Sequence, residues 1–347
     1  TASELARCRL ASPRAKVVEI RSVNSHISIH QSRGTRGLIV VIPRRSDYGI
    51  ETNIFHTLAF KGEVWCLLQA SLRPQGFGQM EGEITVVLSK ARMKLRWARS
   101  LLAAVVGGSV KTVNELVAEH RFAATDRHIN LTVGRVLTLL DIAPTPLWEV
   151  KAFEDSRVAN PLVMSLGRRV REQLGVPVRR PTHGSLLLLS RKSPADRMLV
   201  DLSTGSHAKL LESLSQALSP KFVPFERLSF ETATPFREQV AALARAAVVV
   251  SAIGSQLTNL AWMRPGVVVE VTLRWGWCNA PYRFPVRAPC VPYYKADYAN
   301  QARAFGHRYM YYDPAAVSLR SNGSNPISAA RVFVDPNDLA RVLCTAF

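Results

Sequence analysis

The stretch VVVSAIGSQLTNLAWMRPGVVVEV, residues 248–271, holds the side chains best spaced for anion chemistry. Two apolar segments flank a glycine turn, a short helix and a second turn at Arg264-Pro265-Gly266. In open parallel sheets, ligands collect at the carboxyl ends of strands. The first N–H groups of a helix have no acceptor inside it and carry partial positive charge, so they favour a phosphate. Gly254 lets a ligand approach the backbone closely, and the backbone of 254–256, including Ser255 and Gln256, faces it. Ser255 and Thr258 add hydroxyls, and Asn259 adds an amide. The same residues also suit a plain strand-to-helix turn, with Gly254 chosen for its dihedral and Ser255 as cap. Glu270 stands among valines, where a carboxylate is costly unless it is paired or hydrogen-bonded. It either accepts hydrogen bonds from ribose hydroxyls or pairs with a nearby arginine.

These residues need elements to hold them. The chain has 347 residues, enough for about two domains. Residues 1–36 read as a lead-in with one alternating piece, HISIH (26–30). Strands are expected at 37–42, 83–88, 135–144, 184–192, 222–226, 248–251 and 267–271. Helices are expected at 53–70, 92–105, 113–122, 161–174, 207–218 and 235–247, from apolar residues at helical spacing. Gly175 and Pro177 punctuate the end of the helix 161–174. Asp335 and Pro336 open a last helix within 334–346. Three prolines and weak periodicity in 144–165 mark a domain boundary. The expected layout is a lead-in (1–36), an amino-terminal lobe (37–160), a carboxy-terminal lobe (161–333) and a terminal helix (334–347). Strands alternating with helices, several of them apolar throughout, indicate an α/β protein with parallel sheets covered on both faces.

The composition bounds the partners. Hydrophobic residues make up 47% and charged residues 20%, as in ordinary globular proteins. The formal net charge is +19 and arginine supplies most of it. That field favours anionic partners such as nucleic acid, anionic lipid or phosphate-bearing substrates, and arginine suits bidentate phosphate contacts. The five cysteines, Cys8, Cys66, Cys278, Cys290 and Cys344, show no CxxC spacing, which argues against zinc and leaves a Cys278–Cys290 disulfide open. The longest apolar run, near 100–108, is too short to span a bilayer. The chain does not open on Met, so an earlier leader or anchor is left open. Sequons at Asn130 and Asn322 are compatible with a secretory history.

The pattern from Phe236 to Val271 resembles glycosyltransferase family 61. Glu238, Gln239, Gly254, Leu257, Thr258, Asn259, Pro265, Gly266 and Glu270 match that family's signature. Ile253 stands where the family has His, and Ser255-Gln256 replace Ala-Gly. The strand and basic loop LLLLSRKSPADRMLVD (186–201) resemble the family's strand followed by Ser-Arg-Lys and a later Arg. Arg191, Lys192 and Arg197 would sit at a strand's carboxyl end and neutralise a diphosphate as it leaves. NIFHTLAF (53–60) resembles the Asn-x-(Phe/Tyr)-His element of the amino-terminal lobe, which places Asn53 and His56 on the acceptor side.

The resemblance implies an inverting transferase of GT-B-like architecture, two Rossmann-like lobes with parallel sheets facing a central cleft. Such enzymes move xylose, arabinose or N-acetylglucosamine from a UDP-sugar donor to a hydroxyl of a glycan or glycoprotein. No metal or other cofactor is required. His56 and Asp47 are the catalytic base candidates, with Glu154 and Asp155 behind them. No specific nucleic acid is expected, and membrane association only through an anchor since removed. The compartment would be the ER or Golgi lumen in a eukaryote, and the cytoplasm in a bacterial or viral source. Two rival readings are a sugar-nucleotide-binding protein that has lost catalysis, given Ile253, and a basic nucleic-acid-binding protein. The sequence lacks a helix-turn-helix, RNA-recognition or zinc-finger pattern for the latter. It also lacks GxGxxG after a first strand, against a nicotinamide-dependent enzyme.

Overall fold

The computed structural model describes residues 17–21, 26–32, 35–42, 62–72, 83–88, 96–120, 128–133, 135–138, 159–177, 185–189, 198–218, 225–228, 234–272, 296–318 and 331–345. The chain divides into two compact units. The first comprises Thr1–Ala152 with Arg168–Gly175, and the second Phe153–Gly167 with Val176–Phe347. Both are α/β and rich in parallel strand pairs.

The first unit runs β1 (Val17–Arg21), β2 (His26–Gln31), β3 (Leu38–Ile42), α1 (Gly62–Leu72), β4 (Ile84–Leu88), α2 (Arg96–Val106), β5 (Ser109–Thr112), α3 (Val113–Glu119), β6 (His128–Val133) and β7 (Arg135–Thr138). Its parallel sheet has the order β5-β4-β3-β7. A second sheet, β1-β2-β6, includes residues from the expected lead-in. The reason is alternation: Ile20, Ile27, Ile29, Ile129 and Leu131 are buried with Ile39, Val41 and Val87 of the parallel sheet and with α3. Their polar neighbours in sequence fall on the other face. Thr112 and Glu115 form a reciprocal capping box at the start of α3.

Helix α4 (Pro161–Gln173) opens on Asn160, whose side-chain oxygen accepts the N–H groups of Leu162 and Val163 at 3.0 and 3.3 Å. It stops at Gly175, which takes a left-handed φ of 61°. Its last turn is grouped with the first unit, where Arg169 donates to the terminal carbonyls of α2 at Val105 and Val106.

The second unit holds β8 (Leu186–Leu189), β9 (Met198–Asp201), α5 (His207–Leu218), β10 (Phe225–Leu228), α6 (Phe236–Arg245), β11 (Val248–Ala252), a 3-10 helix (Ser255–Trp262), β12 (Val267–Val271), α7 (Ala296–Ala304), β13 (Arg308–Tyr312), β14 (Ala316–Ser318), β15 (Arg331–Val334) and α8 (Pro336–Thr345). Its main sheet, β10-β8-β11-β12-β13, is parallel throughout. The uninterrupted apolar residues of β8 are buried, as are all of β12, so these strands are covered on both faces. The strand expected at 222–226 lies at 225–228. A small sheet, β14-β15-β9, leads to α8, which Asp335 caps through the N–H groups of Asn337 and Asp338.

The chain leaves β9 through a turn organised by Asp201. One oxygen of its carboxylate accepts the N–H and hydroxyl groups of both Ser203 and Thr204, at 2.6–3.1 Å. The Ser203 hydroxyl leads the effects that hold this carboxyl below its ordinary value, and Thr204 adds to it. A lowered folded pKa contributes stability above the unfolded value of about 3.9, and that stability is lost as pH falls through the folded value. Asp201→Asn should therefore lower the melting temperature at pH 7. The gap to the wild type should narrow as pH falls below the unfolded value, which melting curves at neutral and acid pH measure.

Candidate functional site

The main sheet of the second unit starts in its interior. β8 comes first, β10 pairs on one side of it, and β11, β12 and β13 are added on the other. The direction of growth reverses between β8 and β11. At such a switch point the chain leaves two neighbouring strands in opposite directions across the sheet, and a crevice opens at their carboxyl ends. Leu189, the last residue of β8, pairs with Ser251, the penultimate residue of β11. The chain therefore leaves β8 toward Arg191 and β11 toward Gly254 from the same edge. Arg191, Lys192 and Arg197 themselves lie outside the described residues, as do Asp47, Asn53, His56, Glu154, Asp155, Cys278, Cys290 and Asn322.

The turn after β11 prolongs the ladder by one step, with the Ile253 N–H on the Val271 carbonyl at 3.0 Å. Ile253 is 2% exposed, so the residue at the family's histidine position belongs to the core. Gly254 is extended (φ 160°, ψ 171°) and its carbonyl takes the Leu257 N–H at 2.9 Å. A left-handed dihedral is thus not what selects glycine here. The element that follows is a 3-10 helix of eight residues, longer than the three or four usual for this geometry. Its burial explains the length. Leu257, Leu260, Ala261 and Trp262 are fully buried, and Trp262 meets Phe236 of α6 edge to face at 5.3 Å.

The side chains of this helix are used to build it. Asn259 donates its amide to the Gln256 carbonyl and accepts the Trp262 indole N–H, both at 3.1 Å. Thr258 has no exposed surface, and its carbonyl takes the Gln301 amide of α7 at 3.3 Å. Asn259 thus braces the turn with its side chain, and Thr258 does so through its backbone carbonyl. Gln256 is half-buried. Gly254, at the head of the helix, is buried.

Glu270 is fully buried, and its Oε2 accepts the Tyr309 hydroxyl of β13 at 2.6 Å. The carboxylate thus ties adjacent strands. Gln239, in the Glu-Gln pair, holds the approach to α6 through the Thr234 carbonyl at 2.9 Å. Glu238 is exposed in the first turn of α6, where it complements the helix dipole.

Sequence reasoning missed His307. It is 4% exposed; its Nδ1 accepts the Gly266 N–H at 3.3 Å and its Nε2–H donates to the Leu260 carbonyl at 3.0 Å. It closes the far end of the 3-10 helix against the start of β12. No signal near 307 announces this, because both partners lie more than forty residues earlier in the chain.

These features define an α/β protein with a parallel sheet whose switch point sits beside a glycine-led turn. Comparison with protein families sharpens this: residues 145–269 match the family described as Glycosyltransferase 61. That span is similar to glycosyltransferase family 61, in keeping with the motif at 236–271. The match runs from ahead of α4 to the penultimate valine of β12 and contains both β8 and the 254 turn. No curated protein matches the chain.

Proposed function

We propose that this protein is an inverting glycosyltransferase that transfers a sugar from a UDP-linked donor to a hydroxyl of a glycan or glycoprotein. Xylose, arabinose and N-acetylglucosamine are the sugars the family resemblance favours. The observation that carries the reading is the pairing of Leu189 with Ser251. It starts the arginine-bearing segment and the glycine-led turn from one edge of one sheet, where a single diphosphate would meet both.

In the reaction, the acceptor oxygen attacks the anomeric carbon as the bond to the diphosphate breaks on the opposite face. Arg191, Lys192 and Arg197 and the backbone N–H groups of 254–256 take up the charge that builds on the departing UDP. His56 or Asp47 takes the acceptor proton, and Asn53 orients the acceptor. Cationic side chains do the electrostatic work, so the reading calls for no metal and no cofactor beyond the donor.

A thermal-shift screen of UDP, GDP and CMP and their sugars tests it. A rise in melting temperature with UDP, lost in Arg191→Ala and Arg197→Ala, is expected, because a ligand that binds only the folded state stabilises it. No shift with any nucleotide would overturn the reading. The burial of Ile253 at the family's histidine position favours one second reading, a sugar-nucleotide binder without transfer. UDP binding with no turnover across a broad acceptor panel would select it.

A further inference from the structure

Besides Glu270, the carboxyl edge of the main sheet carries a second carboxylate, Asp313. Beyond the last paired rung, Val271 opposite Tyr312, the Thr272 N–H donates to the Tyr312 carbonyl at 3.0 Å. The Thr272 hydroxyl then donates to Oδ1 of Asp313 at 2.6 Å. Ile253, Thr272 and Asp313 therefore follow one another along the carboxyl edge, at the ends of β11, β12 and β13. Neighbouring strands lie about 4.8 Å apart, so Asp313 stands roughly 10 Å along the edge from the start of the 254 turn. That is about the reach from a diphosphate to the hydroxyls of its own ribose.

Asp313 is also held in place. Tyr312, just before it, is 4% exposed, and its phenol is pushed up to about 12 by burial and by the negative charge of Asp338 in α8. Pro314, just after it, is buried, and a residue preceding proline is confined to extended backbone. Thr272 is 1% exposed and engages one carboxylate oxygen only. Asp313 itself is half-buried, and Oδ2 makes no hydrogen bond among the described residues. A carboxylate fixed on both sides, with one oxygen unengaged at the mouth of a parallel sheet, suits a vicinal diol.

We propose that Asp313, positioned by Thr272, accepts a hydrogen bond from a ribose hydroxyl of the donor nucleotide. The inference rests on the nucleotide-binding reading above, and the experiment separates the two. Affinities of UDP, 2′-deoxy-UDP and 3′-deoxy-UDP are measured by calorimetry for the wild type, Asp313→Asn and Asp313→Ala. The wild type should bind UDP about tenfold or more tightly than at least one deoxy analogue, the usual scale for a hydrogen bond to a charged group. In both variants that ratio should fall to about one, while binding of the same analogue stays within about threefold of the wild type. Thr272→Val should reduce the ratio without abolishing it. If the wild type binds UDP and both deoxy analogues alike, or Asp313→Asn keeps the discrimination, the assignment of Asp313 is overturned and nucleotide binding stands. If no nucleotide binds the wild type, the nucleotide reading fails and the assignment fails with it. The wild-type comparison needs no substitution, so the test holds even if a variant does not fold.

Discussion

Gly266→Ala should lower the melting temperature by roughly 4–8 °C, while Gly175→Ala should lower it by only about 2–4 °C. The two glycines differ in what a methyl group would meet. At Gly266, a Cβ would lie 2.5 Å from the Ala247 carbonyl oxygen, a backbone atom that cannot swing aside. That oxygen accepts the Val267 N–H at 2.9 Å, the bond that begins the β11–β12 ladder. Gly266 is tied on its other sides as well, by its N–H to His307 and by its carbonyl to the Arg308 N–H. The added methyl must separate β12 from β11 and weaken these bonds. Overpacking of this kind costs about 1–3 kcal/mol, and a lost hydrogen bond about 1 kcal/mol more. At Gly175 nothing lies within 4 Å of an added methyl, and the cost is only the left-handed backbone, about 1–2 kcal/mol. Paired thermal melts decide the matter, and equal losses at the two positions would refute the crowding account.

Gly266 also shows where sequence reading reaches its limit. Pro265-Gly266 is legible as a turn, and as part of a family pattern. The reason for the glycine is a carbonyl nineteen positions earlier, which only the fold brings near. Gly108 repeats the arrangement in the first unit, where a Cβ would meet the Ile84 carbonyl oxygen at 2.1 Å as the chain enters β5. Elements with strong local patterns were legible. The helix at His207–Leu218 and the strand at Val267–Val271 fall where apolar spacing puts them. Short elements were not. β5 has four residues, and β13 (RYMYY) is an edge strand with Tyr311 exposed, so neither carries an apolar run. β6 alternates, but with His128, Asn130 and Thr132 on its outer face it carries no apolar run either.

The candidate site divides along the same line. That the 254 turn lies at a strand's carboxyl end follows from strand order, and strand order follows from apolar runs. Which way Thr258, Asn259 and Glu270 point does not. Gln301 and Tyr309, which bond Thr258 and Glu270, come from a later part of the chain, whereas Trp262 meets Asn259 three residues away within one helix. Polar residues in a motif read as ligand contacts until the structure supplies their internal partners.

Arg191→Ala and Arg197→Ala should each reduce kcat for sugar transfer, or for hydrolysis of the UDP-sugar, by about 10²–10³. The effect should exceed that on donor affinity. Ground-state UDP-sugar already carries its diphosphate charge, but additional charge develops on the leaving oxygen as the glycosidic bond breaks, and only groups matched to that change accelerate the step. In the proposed site, the segments that leave β8 and β11 from the edge marked by the Leu189–Ser251 pairing are the two arms of such a cradle, one supplying arginines and the other backbone N–H dipoles. Arg→Lys at either position should recover part of the loss, since it keeps the charge but gives up the planar fork. The double alanine variant should lose less than the product of the single losses, because groups that hold one leaving group act as a unit. UDP release measured across a UDP-sugar panel supplies the rates. If both single variants keep kcat within about threefold of the wild type, the arginines do not carry the departing charge, and the 254 turn would have to carry it alone.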